Sequence, residues 1–402
     1  MEITEHTENR SSFDLTVTAM KIKYCMLALL MVAIAASAAC RRRQTASPSD
    51  NPAQTNQAMP LGGIAPAADT FHFRGTISSN LKIEMALARD GERLSGSYFY
   101  PKVGKEIALK GTIDNDGNVE LREADETGKN TGVFKGKWKP SSAESELDLV
   151  EIEGKWSKPD GSKQTAFLVT EQPIKFSGPQ RIVPKLIKEA NKDAHYSIDA
   201  EYPQIEGDAH FDKFNREVRG MIAKEVAAWK TGEASREADL APSPEEETQN
   251  SDFNIGYDIR WATDDLISVE FGEGGYSRGA AHPNSWTNVF NYDVKNEKKL
   301  ALADLFKPKS NYLSVLSTYC IKNLNEQSKK RDLMLDGDQI KTGAGPKADN
   351  YKSCAITKKG LWVTFDAYQV GPYAAGPQNV LVPYAVIKDL INPDGPLGSF
   401  VK

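Results

Sequence analysis

Cysteine is scarce, at four in 402 residues, which excludes a disulfide-dense scaffold. Histidine is nearly as rare. The four beyond position 40 are His72, His195, His210 and His282. None is paired at i, i+4, and there is no H-E-x-x-H or C-x-x-C, so the sequence calls for no metal and no other cofactor. Neither sign of charge dominates: 50 Lys and Arg stand against 55 Asp and Glu, a net charge of -5, which gives no support for a nucleic-acid partner. After position 40 no apolar run approaches the ~20 residues a spanning helix needs. What the chain does have is 40% apolar and 9% aromatic residues. That is enough for sizeable cores and excludes wholesale disorder. The length suggests two or three domains.

The N-terminus carries an address. Met20 is a better start than Met1, and residues 1–19, polar and acidic, read as a spurious upstream extension. Lys21 and Lys23 precede an apolar run from Tyr24 to Ala39, which is short for a membrane span. The run ends Ser37-Ala38-Ala39-Cys40 and resembles a bacterial lipoprotein signal, although Ala36-Ser37 stands where Leu is commonest. The resemblance implies a signal peptide over 20–39 and lipidation of Cys40. Arg41 follows in place of the Asp associated with inner-membrane retention, so outer-membrane anchoring is expected, facing periplasm or cell surface. Residues 40–69, rich in Pro, Ala, Gln and Ser, read as a flexible tether.

Two folded regions follow. From 70 to 176 the chain repeats glycine, a polar residue, then an apolar one, at Gly75, Gly96, Gly111, Gly136 and Gly154. Turn signals at Asp90-Gly91, Asp116-Gly117 and Asp160-Gly161 separate runs of alternating pattern. This predicts an antiparallel all-β barrel or sandwich, its glycines marking bends or close strand approaches. The second region, 186–402, mixes elements. His195 to Ile205 reads as a strand; Phe211, Phe214, Val218, Met221, Ile222 and Trp229 share a helical face. Thr231 to Asn250 reads as a loop, with strands at 252–261, 265–271 and 286–294. A second helix carries Leu313, Leu316, Cys320 and Leu324. The order predicts an α+β domain with helices on one face of an antiparallel sheet.

Five segments in this half carry a family resemblance: Tyr276 to Pro283, Asn291-Tyr292-Asp293, Leu302 to Phe306, Tyr368 to Gly376, and Val382-Pro383-Tyr384. Their order and spacing over about 200 residues resemble an envelope domain of unknown function. That domain is shared by the peptidoglycan deacetylase PdaC family, in a non-catalytic position, and by the lysozyme-sensing anti-sigma factor RsiV. Ala280 departs from the family, which usually has a second Gly there. The resemblance implies a ligand-binding or sensory envelope domain.

Several motifs invite sharper readings. Gly275-Tyr276-Ser277-Arg278-Gly279 matches the G-x-S-x-G elbow, but a strand rather than a helix is expected after it. Ser79-Asn80-Leu81-Lys82, Ser49-Asp50-Asn51, Lys230-Thr231-Gly232 and Lys341-Thr342-Gly343 match penicillin-enzyme motifs, but the S-D-N lies in the tether ahead of the S-x-x-K, which starts a strand rather than a helix. Asp114 to Gly117 has its glycine too early for a calcium loop and reads as a hairpin turn. His282 reads either as a general base beside Tyr276 or Asp258, or as a histidine that pins its loop. The Tyr368–Gly376 segment, with Tyr373, is either an aromatic ligand surface or a tight turn. Cys320 and Cys354, alone in one domain, are expected to pair as a disulfide.

The expectation is a non-enzymatic cell-envelope lipoprotein. Its C-terminal domain would bind an envelope protein or a peptidoglycan-related ligand, with lysozyme or another cationic muramidase the ligand the resemblance suggests. Tyr276, His282, Tyr368 and Tyr373 are the candidate binding residues, and the acidic loop Glu245, Glu246 and Glu247 would attract a basic partner. An enzyme acting on cell-wall glycan and a structural outer-membrane lipoprotein are the alternatives.

Overall fold

A computed structural model describes residues 69–141, 145–239, 250–331 and 333–401. The signal peptide, Cys40, the tether up to residue 68 and the Glu245–Glu247 loop lie outside the described residues.

Eight strands form the first region: β1 (Asp69–Ile77), β2 (Leu81–Asp90), β3 (Arg93–Phe99), β4 (Ile107–Ile113), β5 (Asn118–Ala124), β6 (Asn130–Pro140), β7 (Val150–Ser157) and β8 (Thr165–Gln172). Each pairs antiparallel with the next, and β1 also pairs with β8, so the sheet closes into a barrel and leaves no edge. Alternation sends Ile83, Met85 and Leu87 inward while Lys82 and Glu84 point out. Phe73, Tyr98, Phe134 and Phe167 fill the interior with edge-to-face contacts, 5.4 Å between Tyr98 and Phe134 and 5.0 Å between Phe134 and Phe167. Gly91, Gly117 and Gly161 take the left-handed turns expected of them. The repeated strand glycines serve contact: a Cβ on Gly75 would lie 1.9 Å from the Leu168 carbonyl oxygen, and one on Gly111 1.8 Å from that of Glu120. A side chain at either place would force the strands apart. Asp114 accepts the amides of Asp116 and Asn118, as a hairpin turn requires.

The second region contains two sheets. The larger runs β10 (Arg181–Asn191), β11 (Tyr196–Glu206), β12 (Ser251–Thr263), β13 (Leu266–Gly275), β14 (Asn284–Asp293) and β15 (Lys298–Lys299), with β9 (Ile174–Lys175) pairing β12. It is antiparallel except where β12 meets β11 and β9. The crossover from β11 to β12 is helix α1 (Asp212–Asp239), whose Phe214, Val218, Ile222 and Val226 pack on Ile198, Phe253, Ile255 and Phe271. Strand β10 was not evident from the sequence, because Pro184 interrupts its pattern; Pro184 faces Pro203 across the pair, on an edge strand where a missing amide is tolerated. Helix α1 also continues past Thr231, where a loop is expected. Its last turns are held by Glu233, which accepts from Arg236, Ser251 and Ser277.

The smaller sheet, β16 (Cys354–Ile356), β17 (Gly360–Phe365) and β18 (Gln378–Pro383), lies on the other face of the large one. Ala355, Trp362 and Leu381 meet Val289 there. Polar contacts join the sheets: Asn291 donates to the Cys354 carbonyl at 2.8 Å, and the Ile356 amide to the Ser268 hydroxyl at 2.9 Å. On its far side the small sheet receives helix α2 (Tyr312–Arg331) through Leu316, Cys320 and Leu324. Each sheet therefore carries its long helix on one face, in a helix–sheet–sheet–helix stack. Cys320 and Cys354 are both buried in this core as free thiols, so the expected disulfide is not formed in this structure. Burial pushes the Cys320 thiol up to about 12, which leaves almost none of the thiolate that disulfide exchange needs.

Candidate functional site

The small sheet covers only part of the large one. Beyond it an open cleft of about 530 Å³ remains, floored by β12, β13 and β14. Register places Gly256, Gly272 and Thr287 in one row across the three strands, and Asn254, Gly274 and Ser285 in the next. The period of two puts both rows on the face away from α1. At Gly256 and Gly272 a Cβ would meet nothing within 4 Å. These glycines leave open space, and a flat ligand can approach the backbone itself. Asp252 and Asp366 contribute carboxylates, and among the described residues no Lys, Arg or His lines the cleft. Beneath the floor, Glu273 accepts from Trp286 Nε1 at 3.1 Å and Asn288 Nδ2 at 3.0 Å. Burial, with Glu225 nearby adding to it, pushes the Glu273 carboxyl up.

One wall of the cleft is the β17–β18 loop, and here the expected aromatic residues come together. His282 stacks on Tyr373 with ring centroids 4.1 Å apart, and Tyr373 lies 5.6 Å from Tyr368. The Tyr373 hydroxyl and His282 Nδ1 both donate to the Pro283 carbonyl, at 2.7 and 2.8 Å. Tyr368 is 55% exposed. It takes the left-handed φ of 69°, a conformation that costs a tyrosine about 1–2 kcal/mol. The loop beneath is fixed. Gln369 Nε2 donates to the Gly343 and Asn350 carbonyls, Gln339 Nε2 donates to those of Tyr368 and Gly371, and Val370 is buried. Gln369 and Val370 thus anchor the segment while Tyr368 faces outward and Tyr373 packs half-buried on His282.

Tyr276 lines the cleft at the β13–β14 turn, next to Pro283 in register, its carbonyl accepting the Asp252 amide at 2.8 Å. The neighbouring Ser277 hydroxyl donates to Glu233 at 3.1 Å. Burial opposes it, but hydrogen bonds from Arg236, Ser251 and Ser277 hold the Glu233 carboxyl below its usual range. Strand β14, not a helix, follows Gly279, so the G-x-S-x-G segment is no nucleophile elbow. Of the two readings of His282, the geometry supports a ring that pins its loop and extends an aromatic surface. Asp252, Asn254, Gly256, Gly272 and Asp366 were missed from the sequence. Glycines inside β12 and β13, which weaken strands, were the available signal.

Residues 303–385 match the family described as "Protein of unknown function (DUF3298)", and the chain carries that domain. Among curated proteins it is similar to peptidoglycan-N-acetylmuramic acid deacetylase PdaC of Bacillus subtilis, 29% identical over 147 residues, 37% of this chain and 31% of PdaC. It is also similar to the immunogenic protein MPB64 of Mycobacterium bovis, 27% identical over 115 residues, 28% of this chain and 47% of that one. The chain thus matches less than half the length of either. A solved member of the DUF3298 family from Bacteroides fragilis covers 57% of this chain and 99% of its own, at 18% identity and TM-score 0.40. One from Pseudomonas aeruginosa covers 54% and 94%, at 15% and 0.37. Among the described residues no helix is long and apolar enough to cross a membrane.

Proposed function

We propose that this chain is a non-enzymatic cell-envelope lipoprotein, anchored through Cys40, whose C-terminal domain binds a cationic envelope protein of the lysozyme class in the glycine-floored cleft. The observation that carries the reading is the His282–Tyr373–Tyr368 ladder, exposed at His282 and Tyr368 and half-buried at Tyr373, beside a cleft whose described lining holds carboxylates and no cation. Rigid, exposed aromatic side chains are the usual anchors of a protein interface. An acidic surface steers a basic partner and loses that pull with salt. Glu245, Glu246 and Glu247 and the net charge of -4 from Cys40 onward, 47 Lys and Arg against 51 Asp and Glu, act in the same direction. Catalysis is not part of the reading, because Ser277 and His282 are engaged by Glu233 and Pro283 rather than by each other.

The test is calorimetry of the full chain with a c-type lysozyme at low and physiological salt. A saturable complex, micromolar or tighter, that weakens at least tenfold in Tyr368→Ala or Tyr373→Ala supports the proposal. Absence of heat at both salts removes lysozyme, and retention of the chain by purified peptidoglycan would then reassign the cleft to glycan.

A further inference from the structure

A buried arginine joins the barrel to the cleft, beside a second buried contact in which Gln172 of β8 accepts the Ile259 amide of β12 at 3.0 Å. Arg74, on β1, has all three guanidinium nitrogens engaged: Nε with Glu84 of β2 at 3.2 Å, Nη2 with Glu201 of β11, and Nη1 donating to the Tyr257 carbonyl of β12 at 2.7 Å. Its guanidinium also sits over the Tyr257 ring, 3.9 Å from the centroid. Lys82 of β2 reaches Glu201 from the same side. The side chains of Arg74 and Glu201 are only 14% and 6% exposed.

The place of these contacts matters more than their number. Pairing between β11 and β12 ends at Ala200 and Ile255. One residue further along, Glu201 falls beside Gly256, on the face that carries the glycine floor. Where β11 no longer bonds β12, the Tyr257 carbonyl receives Arg74 instead. A planar fork with fixed donor directions can hold two carboxylates and a carbonyl at once, which an ammonium cannot. The barrel therefore grips β12 at the residue next to the floor of the cleft.

We infer that the barrel is a working part of the ligand seat, with Arg74 as a positioning residue that sets the floor strand at Gly256 through Glu201 and Tyr257. The inference rests on the cleft being the binding face, and it couples the two regions: loosening the barrel contact loosens the floor, and ligand bound on the floor tightens the barrel contact. Without the clamp, the segment from Asn254 to Asp258 would open locally while the rest of the sheet stays packed.

Hydrogen exchange of the full chain, wild type against Arg74→Met and Glu201→Gln, tests this without a ligand. The expected result is exchange at least tenfold faster at residues 254–258 in both variants, with β13, β14 and the barrel strands β4 to β6 unchanged. Binding of the c-type lysozyme should fall at least tenfold in parallel. Arg74→Lys, which keeps the charge and should fold in any case, should restore neither. Unchanged exchange at 254–258 in Glu201→Gln and Arg74→Lys overturns the inference. Faster exchange in a protein whose wild type binds no lysozyme upholds the clamp and refutes only the ligand.

Discussion

The barrel and the cleft use the same residue for opposite reasons. Glycines in the barrel stand where another strand's backbone already fills the space a Cβ would take, as at Gly75 and Gly111. Gly256 and Gly272, on the floor of the cleft, stand where that space is empty, while Gly274 and Gly275 at its end meet the Asn284 and Asp252 carbonyls as the barrel glycines meet theirs. The first kind is a demand of closure: eight short strands curl tightly enough to bring carbonyls onto neighbouring Cα atoms. Local folding makes no such demand for the second kind, since a strand-interior glycine only weakens the strand. A glycine with nothing above it therefore marks a surface open to approach, whereas one under contact marks a packed wall.

Replacing one glycine of each kind gives the largest contrast. Gly111→Val should destabilise the barrel by about 3 kcal/mol or more, since overpacking against backbone has no cheap relief. Gly256→Val should change stability by less than about 1 kcal/mol, because a β-branched residue suits an exposed strand position, while abolishing ligand binding. Urea denaturation of both variants decides it, and equal losses would erase the distinction.

A second effect of nearly that size belongs to the seam where the barrel meets the large sheet, which His72 lines with Ile182, Tyr257 and Ile259. Burial, with the Lys175 charge adding to it, lowers His72 to about 4. The unfolded chain then takes up a proton below pH ~6.5 that the folded chain refuses until about pH 4. His72 contributes fully above pH 6.5, and its share of stability is lost as pH falls through that window, amounting to roughly 3 kcal/mol. Denaturation midpoints measured from pH 7 to 4 should fall less steeply in His72→Gln; an identical slope would show that the imidazole titrates normally.

The smallest effect concerns the rim. Tyr368→Asn should raise stability by up to about 1 kcal/mol, since asparagine tolerates a positive φ better. The same change should weaken ligand binding, the signature of strain kept for function. A variant less stable than wild type would show that the tyrosine ring contributes more by packing than its backbone costs.

Much of this architecture could be read from residue order. The alternating runs and Asp-Gly turns marked the barrel strands, and the aromatic stripe from Phe211 to Trp229 marked α1, since both depend on neighbours two to four residues apart. The Tyr368–Gly376 segment likewise stood out by composition, and Tyr368 faces solvent while Tyr373 is half-buried against His282. Strand β10 escaped because its pairing with β11, including Pro184 opposite Pro203, is visible only once both strands are placed. The extra turns of α1 escaped because Glu233 is held by Ser251 and Ser277, 18 and 44 residues away.

By itself, then, the sequence determined the two regions, their classes and the aromatic residues of the rim, because period, turn chemistry and composition act locally. Tertiary structure alone decided that β1 closes on β8 and that Gly256 lies opposite Gly272. It also brought His282 onto Tyr373, 91 positions later, and Arg74 of the barrel to Glu201 of the sheet. Each of these is a contact between residues far apart in the chain, set by how strands pair and sheets stack. No local pattern carries that information.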